Sequence, residues 1–142
     1  KGKRNISIVT NSIPNANEAA LYSSFHVILL GGELDSKYQF THGPDAERQI
    51  ERYHATKCIL SVDGISPEAG LTLYYANEAA LARKMIESSS SVIVAADGTK
   101  LGRSAFARIT DVTKIGTLVT CGAEDGEAKA ALREMGIRIL EA

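Results

Sequence analysis

At 142 residues and 44% apolar content, the chain is read as one globular domain with enough material to bury a proper core. Sixteen Lys and Arg stand against seventeen Asp and Glu, and no basic block exceeds Lys3-Arg4, so the electrostatic footprint of a nucleic-acid-binding surface is absent. Apolar runs of four to six residues are too short to span a membrane, and no signal-peptide pattern precedes them.

Apolar, β-branched runs predict strands at Ile6–Thr10, Val27–Leu30, Cys58–Val62, Val92–Ala96, Thr117–Thr120 and Ile137–Leu140. Runs this short without alternating polarity fit strands covered on both faces. Ser12 is read as the cap of a first helix that tolerates Pro14 early, with Ile13, Ala16 and Ala20 on one side. Tyr38–His42 adds a short strand. Asp45, after Pro44, opens a second helix with Ala46, Ile50 and Tyr53 on one face. Asn77 is read as the cap of a third, whose stripe is Ala79, Ala82, Met85 and Ile86, and Ser88–Ser91 as its exit. Asp125 starts a fourth through Ala128, Ala131, Leu132 and Met135, stopped by Gly136. Strands alternating with helices predict an α/β fold: a mostly parallel, open, Rossmann-like sheet with helices on both faces. Cys58 and Cys121 lack Cys-x-x-Cys spacing and read as buried, reduced thiols of a cytoplasmic protein.

Ligands of open α/β sheets bind beyond the carboxyl ends of the strands. Three strand exits here are polar: Val9-Thr10-Asn11-Ser12, Ser61-Val62-Asp63-Gly64 and Val94-Ala95-Ala96-Asp97-Gly98-Thr99-Lys100. One such loop alone only turns the chain; three on one sheet favour an assembled site for an anionic, polar ligand. Lys100 is the cation for phosphate or sugar oxygens, with Arg103 beside it. Asp63 and Glu78 are candidate acceptors for sugar hydroxyls, although Glu78 equally suits the start of a helix. Thr10, Asn11, Gly31, Gly32, Gly64 and Asp97 line the remaining exits, and His42 is placed to face the pocket. Two irregular stretches, a long turn over Gly64–Thr72 and the segment Gly98–Asp111, break the alternation. No cofactor motif is read, and three scattered histidines offer no metal-ligand spacing.

Thr10-Asn11-Ser12, Ile28-Leu29-Leu30-Gly31-Gly32, Val62-Asp63-Gly64-Ile65 and Asp97-Gly98-Thr99-Lys100-Leu101-Gly102, in this order, resemble the C-terminal effector-sensing domain of DeoR-type bacterial transcriptional repressors. The resemblance covers essentially all of residues 1–142. It implies a fold similar to ribose-5-phosphate isomerase and the CoA transferases, a phosphorylated sugar as effector, and DNA contact only through an N-terminal helix-turn-helix domain absent here. Because the chain opens on Lys1 directly before a strand, it reads as a fragment that also lacks the family's first strand and phosphate loop, with a sheet edge exposed in consequence. A homo-oligomer is expected, without a membrane partner.

Two other readings remain open at this point. The related isomerases carry an Asp where this chain has Ser66, and a Lys in the Gly-rich turn where Glu68-Ala69-Gly70-Leu71 has none. Binding groups retained while catalytic ones are lost favour a sensor over an enzyme. A purely oligomerising module is the third reading. In a sensor, Gly98–Asp111 is the expected moving segment, with Gly98 as hinge, Lys100 as anchor and the packing of Phe106 reporting occupancy.

Overall fold

Strand and helix alternate through residues 5–122 and 126–142, the residues that the structure, a computed structural model, describes. The chain divides into two compact units, Lys1–Tyr53 and His54–Ala142. No helix among the described residues is long and apolar enough to cross a membrane.

The first unit runs β1 (Ile6–Thr10), α1 (Ile13–Ala19), β2 (Phe25–Leu29), β3 (Glu33–Asp35), β4 (Phe40–His42) and α2 (Pro44–Ile50). β1 pairs with β2 in parallel, from Ile6 opposite Phe25 to Thr10 opposite Leu29. Ser12 caps α1 as expected, its hydroxyl accepting from the Asn15 amide at 3.2 Å. Asp35 closes the antiparallel β3–β4 hairpin by accepting from the amides of Lys37 and Tyr38. α2 starts one residue earlier than expected. Pro44 occupies its first turn, where a missing N–H is harmless, and Gly43 precedes it at φ +98°. Tyr53 falls beyond the helix end. Leu30, Phe40, Ala46 and Ile50 are buried in this unit.

The second unit comprises β5 (Ala55–Ser61), β6 (Gly64–Ser66), β7 (Gly70–Leu73), α3 (Ala76–Glu87), β8 (Ser89–Ala95), β9 (Ala107–Thr110), β10 (Thr117–Thr120), α4 (Glu127–Glu134) and β11 (Arg138–Glu141). Short 3-10 turns lie at Gly98–Lys100 and Val112–Lys114. β11, β10, β8 and β5 form a parallel four-stranded sheet in that order, flanked by helices, and β6, β7 and β9 an antiparallel three-stranded one. The α/β architecture with a parallel open sheet is therefore present. Leu118, Val94, Leu132, Ile65 and Leu71 are fully buried in one continuous core.

Several local expectations are corrected. Gly64–Thr72 is not a long turn but the buried β6–β7 hairpin. Ser89–Ser91 belong to β8 rather than to a helix exit, because each hydroxyl finds a partner at the strand entry. Ser89 donates to the Met85 carbonyl, Ser91 donates to the Thr56 carbonyl, and Ser90 bonds His54 Nε2. Asn77 does not cap α3, which begins one residue before it with Tyr75 at the cap and no side-chain cap bond. β5 is not covered on both faces: Cys58 and Leu60 are buried while Ile59 between them is 69% exposed. Cys121 is exposed, not buried. The expected start of the fourth helix at Asp125 lies outside the described residues.

Candidate functional site

In the first unit the polar strand exit is tied to its own hairpin. The Thr10 hydroxyl accepts from the Ser12 amide at 3.1 Å. Asn11 Nδ2 donates to the Thr41 carbonyl, and the Thr41 amide donates back to the Asn11 carbonyl, both at 2.9 Å. The Gly31 amide donates to Gln49 Oε1 at 2.9 Å. A Cβ on Gly32 would lie 2.5 Å from the His42 carbonyl oxygen, so this glycine answers first to the close approach of β4. His42 Nδ1 is buried without a hydrogen-bond partner among the described residues. Gly32, Asp45, Arg48, Gln49 and Arg52 line an open polar depression of about 380 Å³.

In the second unit two strand exits distant in sequence are latched together. The Gly102 amide donates to the Ile65 carbonyl at 2.8 Å, and the Ala105 amide to Thr72 Oγ1 at 2.8 Å. Gly64 lets the chain close: a Cβ there would lie 2.4 Å from the Arg103 carbonyl oxygen and 2.7 Å from Thr72 Oγ1. The loop bearing Lys100 and Arg103 is thereby pressed onto the hairpin that Asp63-Gly64 begins. Asp63 Oδ2 accepts from the Tyr74 amide at 2.9 Å and its own amide donates to the Thr72 carbonyl. This bond fixes the lead-in to α3, whose first turn carries Glu78. Asp63, Gly64, Glu78, Asp97 and Lys100 thus share the second unit, whereas Thr10, Asn11, Gly31 and Gly32 belong to the first.

Asp97 has a role the strand-exit reading did not assign. Its carboxylate accepts from the Thr99 amide at 2.9 Å and from the Thr99 hydroxyl, capping the 3-10 turn. Asp111 does the same for Thr113. Both follow the pattern Asp-x-Thr-Lys, so the pattern encodes a capped turn; the first stands at the end of β8 and carries Lys100. The Thr99 hydroxyl, then the Thr99 amide, hold the Asp97 carboxyl below its ordinary 3.8, with Lys100 and Arg103 adding smaller contributions.

Sequence reasoning missed Thr72, a polar residue 2% exposed in an otherwise apolar run, which accepts the Ala105 amide. It also missed Arg83, which clamps β9 from α3 by donating to the carbonyls of Ile109 (2.9 Å) and Arg108 (2.7 Å). Ser66 is buried and accepts from the Ala69 amide, serving the hairpin turn. Phe106 is 88% exposed, one position outside the last rung of the β7–β9 ladder. The positive-φ glycine of its segment is Gly102, at +78°, rather than Gly98. Among the described residues no group of three or more His, Cys, Asp or Glu is arranged to hold a metal ion.

The profile of the DeoR C terminal sensor domain matches residues 1–121. The HTH-type transcriptional repressor GlcR of Bacillus subtilis (strain 168) is 32% identical over 114 residues, covering 80% of this chain and 44% of that protein. The putative aga operon transcriptional repressor of Escherichia coli O157:H7 is 28% identical over 132 residues, covering 93% and 49%. The glycerol-3-phosphate regulon repressor of Escherichia coli (strain K12) is 29% identical over 116 residues, covering 82% and 46%. The chain spans about half the length of these curated relatives. It belongs to the DeoR C-terminal sensor-domain family, a regulatory family and not an enzyme family.

Proposed function

We propose that this DeoR-family domain, residues 1–142, is the effector-sensing part of a cytoplasmic, homo-oligomeric transcriptional repressor of sugar metabolism, and that its effector is a phosphorylated sugar. The relatives' names, an aga operon repressor and a glycerol-3-phosphate regulon repressor among them, support this class. The observation that carries it is the latch between the β5 and β8 exits. That latch presses the loop carrying Lys100 and Arg103 onto the hairpin that Asp63-Gly64 begins, and a carboxylate and cations on such a frame suit a sugar phosphate. Lys100 and Arg103 hold the phosphate, Asp63 and Glu78 accept from hydroxyls, and Asp97 keeps the Lys100 turn in shape. Gly64 belongs to the same proposed set in the second unit, and Thr10, Asn11, Gly31 and Gly32 are the ligand-binding residues proposed for the first. DNA contact is assigned to a domain outside this chain. Ser66, spent on the hairpin turn, supports binding without turnover.

A thermal-shift screen of phosphorylated sugars tests this. At ~100 times its dissociation constant, an effector stabilises the fold by roughly 2.7 kcal/mol, which raises the melting temperature by several degrees. Lys100→Ala is expected to lose most of that rise while leaving the ligand-free melting temperature unchanged. A full rise in Lys100→Ala removes Lys100 from the site. A screen in which no phosphorylated sugar raises the melting temperature overturns the reading itself.

A further inference from the structure

We infer that Tyr74 and Phe106 form an aromatic platform for a sugar ring, so that the effector is a cyclic sugar phosphate rather than an acyclic polyol phosphate. This rests on the sensor reading and narrows its ligand class. Leu73 and Ala107 are the last paired residues of β7 and β9, and both are buried. One position further out on each strand the character reverses. Tyr74 is 50% exposed, its neighbour Tyr75 48%, and Phe106 88%. Tyr74 and Phe106 therefore stand at the same end of one strand pair, both exposed.

The backbone beneath them is held from three sides. Asp63 accepts from the Tyr74 amide, Thr72 accepts from the Ala105 amide, and Arg83 clamps the carbonyls of Ile109 and Arg108. Large apolar rings kept out of the core on so restrained a frame are prepared for a partner. Polar groups of the same frame select its chemistry. Asp63, whose carboxylate accepts the Tyr74 amide, starts the hairpin onto which the loop carrying Lys100 and Arg103 is latched. Aromatic walls with a few placed polar groups are the usual make-up of a small-ligand site. A closed sugar ring offers a rigid C–H face to such rings. An acyclic chain offers none and loses more torsional freedom when held.

The test is calorimetric titration of the full-length protein that carries these residues. The probes are aldohexose and ketohexose 6-phosphates, with glycerol 3-phosphate and inorganic phosphate as ringless controls. A hexose phosphate is expected to bind about tenfold more tightly than glycerol 3-phosphate, and Phe106→Ala and Tyr74→Ala are each expected to weaken it roughly three- to tenfold. Tyr74→Phe should restore affinity, and ligand-free melting temperatures should stay unchanged in all three variants. Equal binding of hexose and glycerol phosphates, or unchanged affinity in Phe106→Ala, overturns the platform and leaves the sensor reading standing. An altered oligomeric mass in Phe106→Ala with affinity intact overturns it in favour of a subunit contact. Binding of no phosphorylated probe overturns the sensor reading together with it.

Discussion

Asp97 and Asp111 show how a side chain close to a candidate site is committed to local structure first. Each carboxyl is held below its ordinary 3.8, foremost by the hydroxyl of the Thr two residues on, then by that residue's amide. A folded value below the unfolded one means stabilisation that is complete above the unfolded value and lost as pH falls through the folded one. Urea unfolding midpoints followed from about pH 6 to about pH 2 should therefore drop less steeply in the Asp97→Asn/Asp111→Asn double variant than in the parent. Identical acid limbs would show that the two caps do not contribute. Gly64 is committed differently. Adding a methyl group drives it into the Arg103 carbonyl at 2.4 Å. Gly64→Ala is expected to lower stability by roughly 1–3 kcal/mol in urea unfolding, with overpacking as the cause.

At the scale of elements, the β6–β7 hairpin is what converts two strand exits into one locus. Thr72 is its working contact, accepting the Ala105 amide inside an apolar run. Thr72→Val keeps the shape and removes the acceptor, at an expected cost of about 1–3 kcal/mol for the part-buried N–H left unpaired. Amide exchange should accelerate at Ala105 and its neighbours while β8 and β10 keep their protection, and Thr72→Ser should restore the parent rates. Equal protection in Thr72→Val would place the latch elsewhere. This hairpin was hard to read from sequence because strands of three and four residues, buried throughout, show no alternation of polarity. The serine-rich start of β8 was hidden for the opposite reason, since three hydroxyls satisfied by neighbours carry no apolar signal.

At the scale of the whole molecule, each unit has its own buried residues, and the continuous core from Cys58 to Ile137 lies in the second. Burial pushes the Cys58 thiol up to about 11, whereas Cys121 is exposed. A thiol reagent at neutral pH should modify Cys121 rapidly and Cys58 only as fast as the second unit opens. Leu118→Ala, at a fully buried position of that core, is expected to lower stability by about 2–5 kcal/mol and to speed Cys58 modification without changing the rate at Cys121. A single rate for both thiols in the native protein would contradict this core.

The alternation of short apolar runs with 3.6-residue stripes was enough to determine the α/β class and the parallel strands, because hydrophobic period and helix stops are properties of neighbouring residues. The ordered motifs from Thr10 to Gly102 were enough to point to the family that the profile match then established. Which polar residues meet was decided only in three dimensions. Gly64 against Arg103, Thr72 beneath Ala105 and Arg83 across β9 are separated by 25 to 39 positions. No local pattern encodes such contacts, since they depend on register, on the absence of a Cβ, and on which face of a buried strand a hydroxyl occupies. The same holds for Phe106, whose 88% exposure follows from its place one position beyond the β7–β9 ladder.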